Sequence, residues 1–388
     1  MTGGLTPEQF RGLFPGLVDT VHLASCSQGA LSGELLFALQ EYVGSLRDRA
    51  VAWDRWMQEV DTARGLFAQL IGARPDEVAV LSNASEAAYQ VASSLRWDER
   101  PQIVTTDMEF PSVAYVWLAQ RPLGAKVRHV AEHEGVVEAE DYVRSIDAAT
   151  HLVSIPLVSY RNGARMPVRE AVARAREVGA RVFVDAYQAA GVLPVDVQDL
   201  GCDYLVSGAL KYLLGLPGIA FLYVRGGVVP ELEPRLTGWF GQRNPFGFDP
   251  RELAFGDHAQ RFETGTPGIP SAYAAVAGLR TVARTDQHAA ASHLRTLVDE
   301  THDRLVEAGE RVWSPTDPAR RGPQVALVDA DPPALAGYLA ERRIVVSPRG
   351  HVVRISFHVY NNRQDVDAVL AAIAGYRARR PGRRRPPR

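Results

Sequence analysis

The sequence predicts an α/β protein with a mostly parallel sheet flanked by helices and a smaller α+β unit at its C-terminal end. Three observations predict it. Short apolar runs such as QIVTT, HLVSIPLVS, RVFVDA and CDYLVSGA alternate with helical patterns such as SEAAYQVASSL and VREAVARAREVGA; strands alternating with helices read as βαβ units and a parallel sheet. A chain of 388 residues is long enough to bury a large core and to divide it. Hydrophobic residues at 46% and charged residues at 23% give the balance of a water-facing globular protein.

Taken in order, residues 1–30 read as an N-terminal arm and residues 31–270 as the large domain. Residues 34–70 carry Leu, Phe, Tyr, Val and Trp at helical spacing. DEVAVLSNASEAAYQVASSL is a short strand, a polar turn and an Ala-rich helix. QIVTTD and AKVRHVA read as strands either side of the helix FPSVAYVWLAQ. HLVSIPLVS is a strand, and VREAVARAREVGA a helix stopped at Gly179. RVFVDA, CDYLVSGA and IAFLYV are further strands, and residues 240–270 are loop-rich. A long amphipathic helix is expected from Ser271 past residue 300, opening a small domain over 271–378 built from QVALVDA, RIVVSP and VVRISFHVY as strands and PPALAGYLAERR and QDVDAVLAAIAGYRA as helices. Residues 379–388 read as a solvated basic tail, since Pro and like charges oppose packing.

Composition excludes several function classes. A formal net charge of −2 gives no global field for nucleic acid or an anionic membrane. Two cysteines, Cys26 and Cys202, rule out a disulfide framework and a Cys-rich zinc site, and no metal is expected. The start MTGGLTPEQFRGLF lacks the pattern of a signal peptide, and no run of about 18 apolar residues predicts a membrane span. A cytoplasmic location is therefore expected.

Two charges look out of place. Asp185 ends the apolar run VFV, and Lys211 sits inside the otherwise uncharged LVSGALKYLLGLPGIAFLYV. Buried charges are costly unless answered, and ligands of open α/β sheets bind beyond the carboxyl ends of strands. A lysine in an apolar site has a lowered pKa and becomes nucleophilic. An aspartate beside a pyridine nitrogen keeps that nitrogen protonated. The pair points to pyridoxal phosphate; a structural ion pair is the alternative. SNASEAAYQ adds small polar residues at a helix start, where backbone N–H groups can hold a phosphate. Gln188, three residues after Asp185, is placed to reach the cofactor's phenolic oxygen.

VDAYQAAGVLPVDVQDLGCDYLVSGALKYLLGLPG, RFETGTPGIPSAYAAVAGL and RISFHVYNNRQDVDAVL occur in that order, and together they resemble the class V aminotransferase-fold family of pyridoxal-phosphate enzymes, which includes cysteine desulfurases, kynureninases and isopenicillin N epimerases. The likeness covers about residues 20 to 376. It implies fold type I with a seven-stranded-type sheet, pyridoxal 5'-phosphate as cofactor, an amino-acid substrate and a homodimer with shared sites. It further implies Lys211 as the Schiff-base lysine and proton shuttle, Asp185 at the pyridine nitrogen and Gln188 at the phenolic oxygen. Asn83, Ala84 and Ser85 cradle the phosphate on this reading. Phe110 stacks on the ring, Ser207 joins the cofactor set, and Trp239 and Thr266 close the partner's phosphate site. Arg354 clamps the substrate carboxylate, and its alternation on VVRISFHVY puts it on one face with Val352 and Ser356.

FPSVAY, YRNGARMPV, LKYLLGLPG and TGWFGQRNPF are most similar to kynureninase segments. Two positions depart: the Tyr before the lysine is Leu210, and the His after Trp-Phe-Gly is Gln242. Desulfurases carry a nucleophilic Cys late in the chain and His before the lysine, and neither occurs here. The expectation is a lyase that removes the α-proton with Lys211 and releases a group at the β-carbon by β-elimination or C–S/C–C cleavage. Transamination or epimerisation uses the same carbanion and is the alternative, with a non-catalytic scaffold as a remote third.

Overall fold

The structure is a computed structural model that describes residues 4–48 and 52–379. Its main sheet has seven strands: β1 (Val78–Leu81), β2 (Gln102–Thr106), β3 (Lys126–Val130), β4 (Thr150–Pro156), β5 (Arg181–Asp185), β6 (Tyr204–Gly208) and β7 (Ala220–Val224). Their spatial order is β1-β7-β6-β5-β4-β2-β3. All neighbours are parallel except that β7 runs antiparallel to both β6 and β1. The connection from β6 to β7, residues 209–219, is too short for the helical crossover a parallel pair requires. Lys211 lies in that connection.

The chain order reverses between β2 and β4, since β3 extends the sheet outward from β2 while β4, β5 and β6 build the other way. Such a reversal opens a crevice at the carboxyl ends of the strands. Register brings Pro156 of β4 beside Asp185 of β5, and Asp185 beside Val206 of β6. Both faces of the sheet are covered, which is why its central strands read as continuous apolar runs. Helices α1 (Gly33–Asp48) and α2 (Trp53–Leu70) pack with α4 (Ile269–Val282) on one side. The helix α3 (Ala84–Ser94) follows β1 directly, capped by Asn83.

Beyond α4, α5 (Gln287–Glu307) leads to an antiparallel sheet of β8 (Gln324–Val328), β9 (Ser347–Arg349) and β10 (Val352–Ser356), ordered β9-β10-β8. Phe10, Phe14, Leu17 and Leu23 of the N-terminal arm are buried in the same cluster as Leu294, Leu297, Val353, Ile355 and Ile373. Val21–His22 also pairs with Ile344–Val345. The arm therefore contributes to the core of the C-terminal unit.

The structure corrects two helix expectations. The single helix expected from Ser271 past residue 300 is two, α4 and α5. Asp286 accepts a hydrogen bond from the Ala289 amide at 2.7 Å and caps α5, while Leu5 of the arm donates to the Arg284 carbonyl at 2.8 Å. Apolar spacing continues through the break because both helices keep a buried face, so periodicity alone does not see it. Ile269, Ala272, Val276 and Leu279 belong to the main core and Val282 to the C-terminal one, so the division between the two cores falls near Val282. The helical stretch over 34–70 is likewise two helices, α1 and α2, with residues 49–51 outside the described residues. Most of the basic tail, 380–388, also lies outside them.

Candidate active site

A cavity of about 530 Å³ opens at the carboxyl ends of the central strands, within the size range of small-molecule sites. Asn83, Ala84, Ser85, Phe110, Asp185, Gln188 and Lys211 all line it. The β-strands position them: Asp185 ends β5, Phe110 follows β2, and Lys211 follows β6.

Lys211 is the amine of the site. Burial lowers its pKa to about 8, opposed by the Asp185 charge, while Arg354 and Arg349 add to the lowering. Its Nζ lies 5.2 Å from the Phe110 ring centroid and 4.2 Å from that of Tyr187. Asp185 is buried, and burial raises its carboxyl pKa against the pull of the Tyr187 amide and Lys211. That amide donates to Asp185 Oδ1 at 2.8 Å. Gln188 donates from Nε2 to the Cys26 carbonyl at 3.0 Å. Its Oε1 is a buried polar atom without a protein partner.

At the other end of the cavity is the start of α3. Asn83 Oδ1 accepts from the Glu86 amide at 2.9 Å. The Asn83 side chain is thus occupied as a cap, leaving the first-turn backbone N–H groups of Ala84 and Ser85 to face an anion. This pattern fits pyridoxal phosphate: an enclosed amine, a buried carboxylate, an aromatic wall, an unsatisfied amide oxygen and a helix N-terminus share one cavity.

Four expected residues lie outside the lining. Ser207 is buried within β6. Trp239 is half-buried against Trp53, Phe246 and Phe248, and Thr266 is exposed. The resemblance places both on the partner's site, and neither reaches the cavity of its own chain. Arg354 is 1% exposed and is not among the lining residues. It donates to the Tyr160 carbonyl at 2.8 Å, to Ser27 Oγ at 2.9 Å, and to Ser347 Oγ and carbonyl at 2.6 and 3.4 Å. Every one of these acceptors is neutral. Among the described residues no carboxylate pairs with Arg354.

Sequence reasoning missed Glu109 and Tyr187. Glu109 is buried, accepting from the Phe110 amide and from Ser154 Oγ, both at 2.9 Å. Burial, followed by the Asp185 charge, pushes its carboxyl up to about 8. Two neighbouring buried carboxyls do not both ionise readily; with its carboxyl pushed up to about 8, Glu109 favours the protonated form at neutral pH, while the Lys211 charge pulls Asp185 toward ionisation. The available signal was an acid just past the apolar QIVTT, the same pattern that drew attention to Asp185. Tyr187 gave itself away only as an aromatic between Asp185 and Gln188.

The parallel sheet, its switch-point crevice and the lysine–aspartate cavity define a fold type I pyridoxal-phosphate enzyme. The aminotransferase class-V family matches residues 36–369, and the chain belongs to that family. An uncharacterized aminotransferase of Bacillus subtilis, YcbU, is 37% identical over 368 residues, covering 95% of this chain and 97% of that one. Kynureninase of Deinococcus radiodurans is 30% identical, covering 92% and 90% respectively. A probable cysteine desulfurase of Streptomyces coelicolor is 29% identical, covering 96% and 97%. Among solved structures, the apo cysteine desulfurase of Thermococcus onnurineus superposes with a TM-score of 0.87 at 25% identity, covering 97% of this chain and 99% of that one. Among the described residues no helix is long and apolar enough to cross a membrane.

Proposed function

We propose that the protein is a lyase acting on an α-amino acid, removing the α-proton and releasing a group from the β-carbon. The observation that carries the amino-acid part is Arg354: a buried guanidinium with only neutral acceptors is an unanswered cation that a substrate carboxylate can answer. Tyr160, whose carbonyl accepts from Arg354, lines the cavity, so the clamp forms when the substrate carboxylate takes the place of a neutral acceptor.

Pyridoxal phosphate, when bound, supplies a carbonyl for amine exchange and a ring that withdraws electrons from the α-carbon. The chain's residues do the rest. Asp185, charged and buried, holds a proton on the pyridine nitrogen. Gln188 offers a side-chain amide to the ring's oxygen, and the Ala84 and Ser85 amides hold the phosphate. Lys211 Nζ, with a pKa lowered to about 8 by burial, has a neutral fraction of about a tenth near pH 7, far more than an ordinary lysine, and that fraction can accept the α-proton. The bond to the β-substituent then breaks, with its electron pair leaving on that group, and Phe110 limits water on one face.

Neither cysteine supports a persulfide-carrying role. Cys202 is buried, with burial pushing its thiol up to about 12, and Cys26 is 1% exposed. The release of sulfur or carbon fragments as free products is therefore favoured over transfer to the enzyme. Aminotransfer is the second reading, favoured by the description of the Bacillus relative. Mass spectrometry after incubation with amino acids and cysteine S-conjugates separates them. Pyruvate and ammonia mark elimination. An amino group passed to an added 2-oxo acid, with no ammonia, would overturn the lyase reading.

A homodimer with shared sites is part of the proposal. Trp239, Phe246 and Phe248 form a surface aromatic group whose phenylalanines are 62% and 69% exposed, and Thr266 lies in the same loop-rich region. Mixing inactive Lys211→Ala and inactive Thr266→Ala protomers should restore part of the activity. A monomer by light scattering, or no complementation after proven subunit exchange, counts against it.

A further inference from the structure

We propose that Tyr187 is a positioning residue for Lys211, holding the amine against its ring face, and that position 208 is glycine in order to seat that ring. The inference rests on Lys211 being the cofactor-bearing lysine.

The geometry is specific. Tyr187 lines the cavity one residue before Gln188, and Lys211 Nζ lies 4.2 Å from its ring centroid. The Phe110 ring centroid lies 5.2 Å from the same amine. The amine thus meets two aromatic rings, of which Tyr187 is the nearer. An ammonium over an aromatic face is attracted by the ring quadrupole. Gly208 ends β6, and a Cβ built there would overlap the hydroxyl oxygen, Cζ and Cε2 of Tyr187. Its backbone is not in the left-handed region that otherwise calls for glycine. Space for the Tyr187 ring is therefore the reason the structure offers for glycine at 208.

The phenol does not serve as the proton-handling group. Burial, then the Asp185 charge, pushes its pKa up to about 12, so it stays protonated. What the residue offers Lys211 is its face. The other groups that act on the amine come from four further elements: Asp185 at the end of β5 and Cys26 of the arm favour the charged form, and Arg354 of β10 and Arg349 of β9 oppose it. All remain in place when Tyr187 alone is changed, so their contributions cancel in a comparison of variants.

The test compares Tyr187→Phe, which keeps the face, with Tyr187→Leu, which removes it at similar water exclusion. The first readout is the pH midpoint of the visible absorbance change of the holoenzyme, whose chromophore nitrogen is Lys211 Nζ. The second is the pH dependence of Lys211 acetylation in the full chain after cofactor release, read by peptide mass spectrometry. The face stabilises the cation, so its removal should lower both midpoints by about half a unit or more, as a cation–π contact of about 0.5–1 kcal/mol or above requires. Tyr187→Phe should leave both unchanged. Equal midpoints in the two variants, or a rise in Tyr187→Leu, would overturn the role of the face. Absence of any visible band in the parent enzyme would instead overturn the cofactor assignment. A double-mutant cycle addresses the glycine: Gly208→Ala should lower the melting temperature in the parent and much less in the Tyr187→Leu background. Equal losses in both backgrounds would overturn the pairing.

Discussion

Two groups of buried charges in this protein are built on opposite terms. Around Arg64 each charge is answered from within. Its guanidinium pairs with Glu263 and donates to the Val78 carbonyl at 3.0 Å and to Asp61 at 3.1 Å, while Glu263 also accepts from the Val80 amide at 2.8 Å. Around Lys211 the charges are left open. The amine meets aromatic faces, Arg354 meets neutral oxygens, and Asp185 and Glu109 crowd one another. Closed pairs tie α2 to the sheet and to the loop-rich segment. Open charges cost stability, and a site keeps them because a ligand can complete them. Whether a buried charge already has its partners thus separates framework from function here better than burial does.

Changing Lys211 should have the largest effect. Lys211→Ala is expected to remove the covalent cofactor link and to reduce turnover on the order of 10²–10⁴-fold or more. Borohydride reduction and peptide mass analysis of the parent should find the pyridoxyl mass on the Lys211 peptide, and a label on another lysine would break the comparison at its open end. The closed end is next. Glu263→Ala removes the buried partner of Arg64 and leaves only the exposed Asp61, with an expected loss of about 3–5 kcal/mol in urea unfolding, and little change in turnover per folded molecule. A small stability loss would mean that the pair is not the closed unit described.

Arg354→Lys keeps charge but loses the two-pronged geometry. Substrate affinity should fall by about 1.5–3 kcal/mol, the range for hydrogen bonds to charged groups, with cofactor occupancy unchanged. Parent-like binding of amino acids would point to a substrate without an α-carboxylate. Glu109→Gln sharpens the comparison by pH. An acid whose folded pKa lies above its unfolded value binds more protons when folded, so its presence lowers stability as pH rises from about 4.5 to about 8. Glu109→Gln should match the parent below about pH 4.5 and exceed it above pH 8 by on the order of 5 kcal/mol, each pKa unit carrying about 1.4 kcal/mol. A parallel pH profile for the two proteins would show that Glu109 is not the proton-holding partner of Asp185. The smallest effect is expected at Asn83→Ala, about 0.5–2 kcal/mol for a lost helix cap, together with weaker phosphate retention measured by cofactor release.

The apolar strands, the helices between them, the acid at the end of VFV and the amine within an uncharged run are all legible in the sequence, because burial of an element imposes its own local spacing. The cofactor follows from that local chemistry together with the order of the motifs. Other features are settled only in three dimensions. Arg354 is held only by neutral oxygens of Ser27 of the arm, Tyr160 beyond β4 and Ser347 of β9, so its surroundings depend on three distant segments meeting. Glu109 becomes a proton holder because strand order brings the end of β2 near Asp185 at the end of β5. Tyr187 faces Lys211 because Gly208, at the end of the neighbouring strand, leaves room for its ring. The break between α4 and α5 is fixed by a cap and by the arm. Local periodicity reports what a residue buries. Which residue answers it is decided by register, strand order and chain reversal, and these exist only once distant segments have packed.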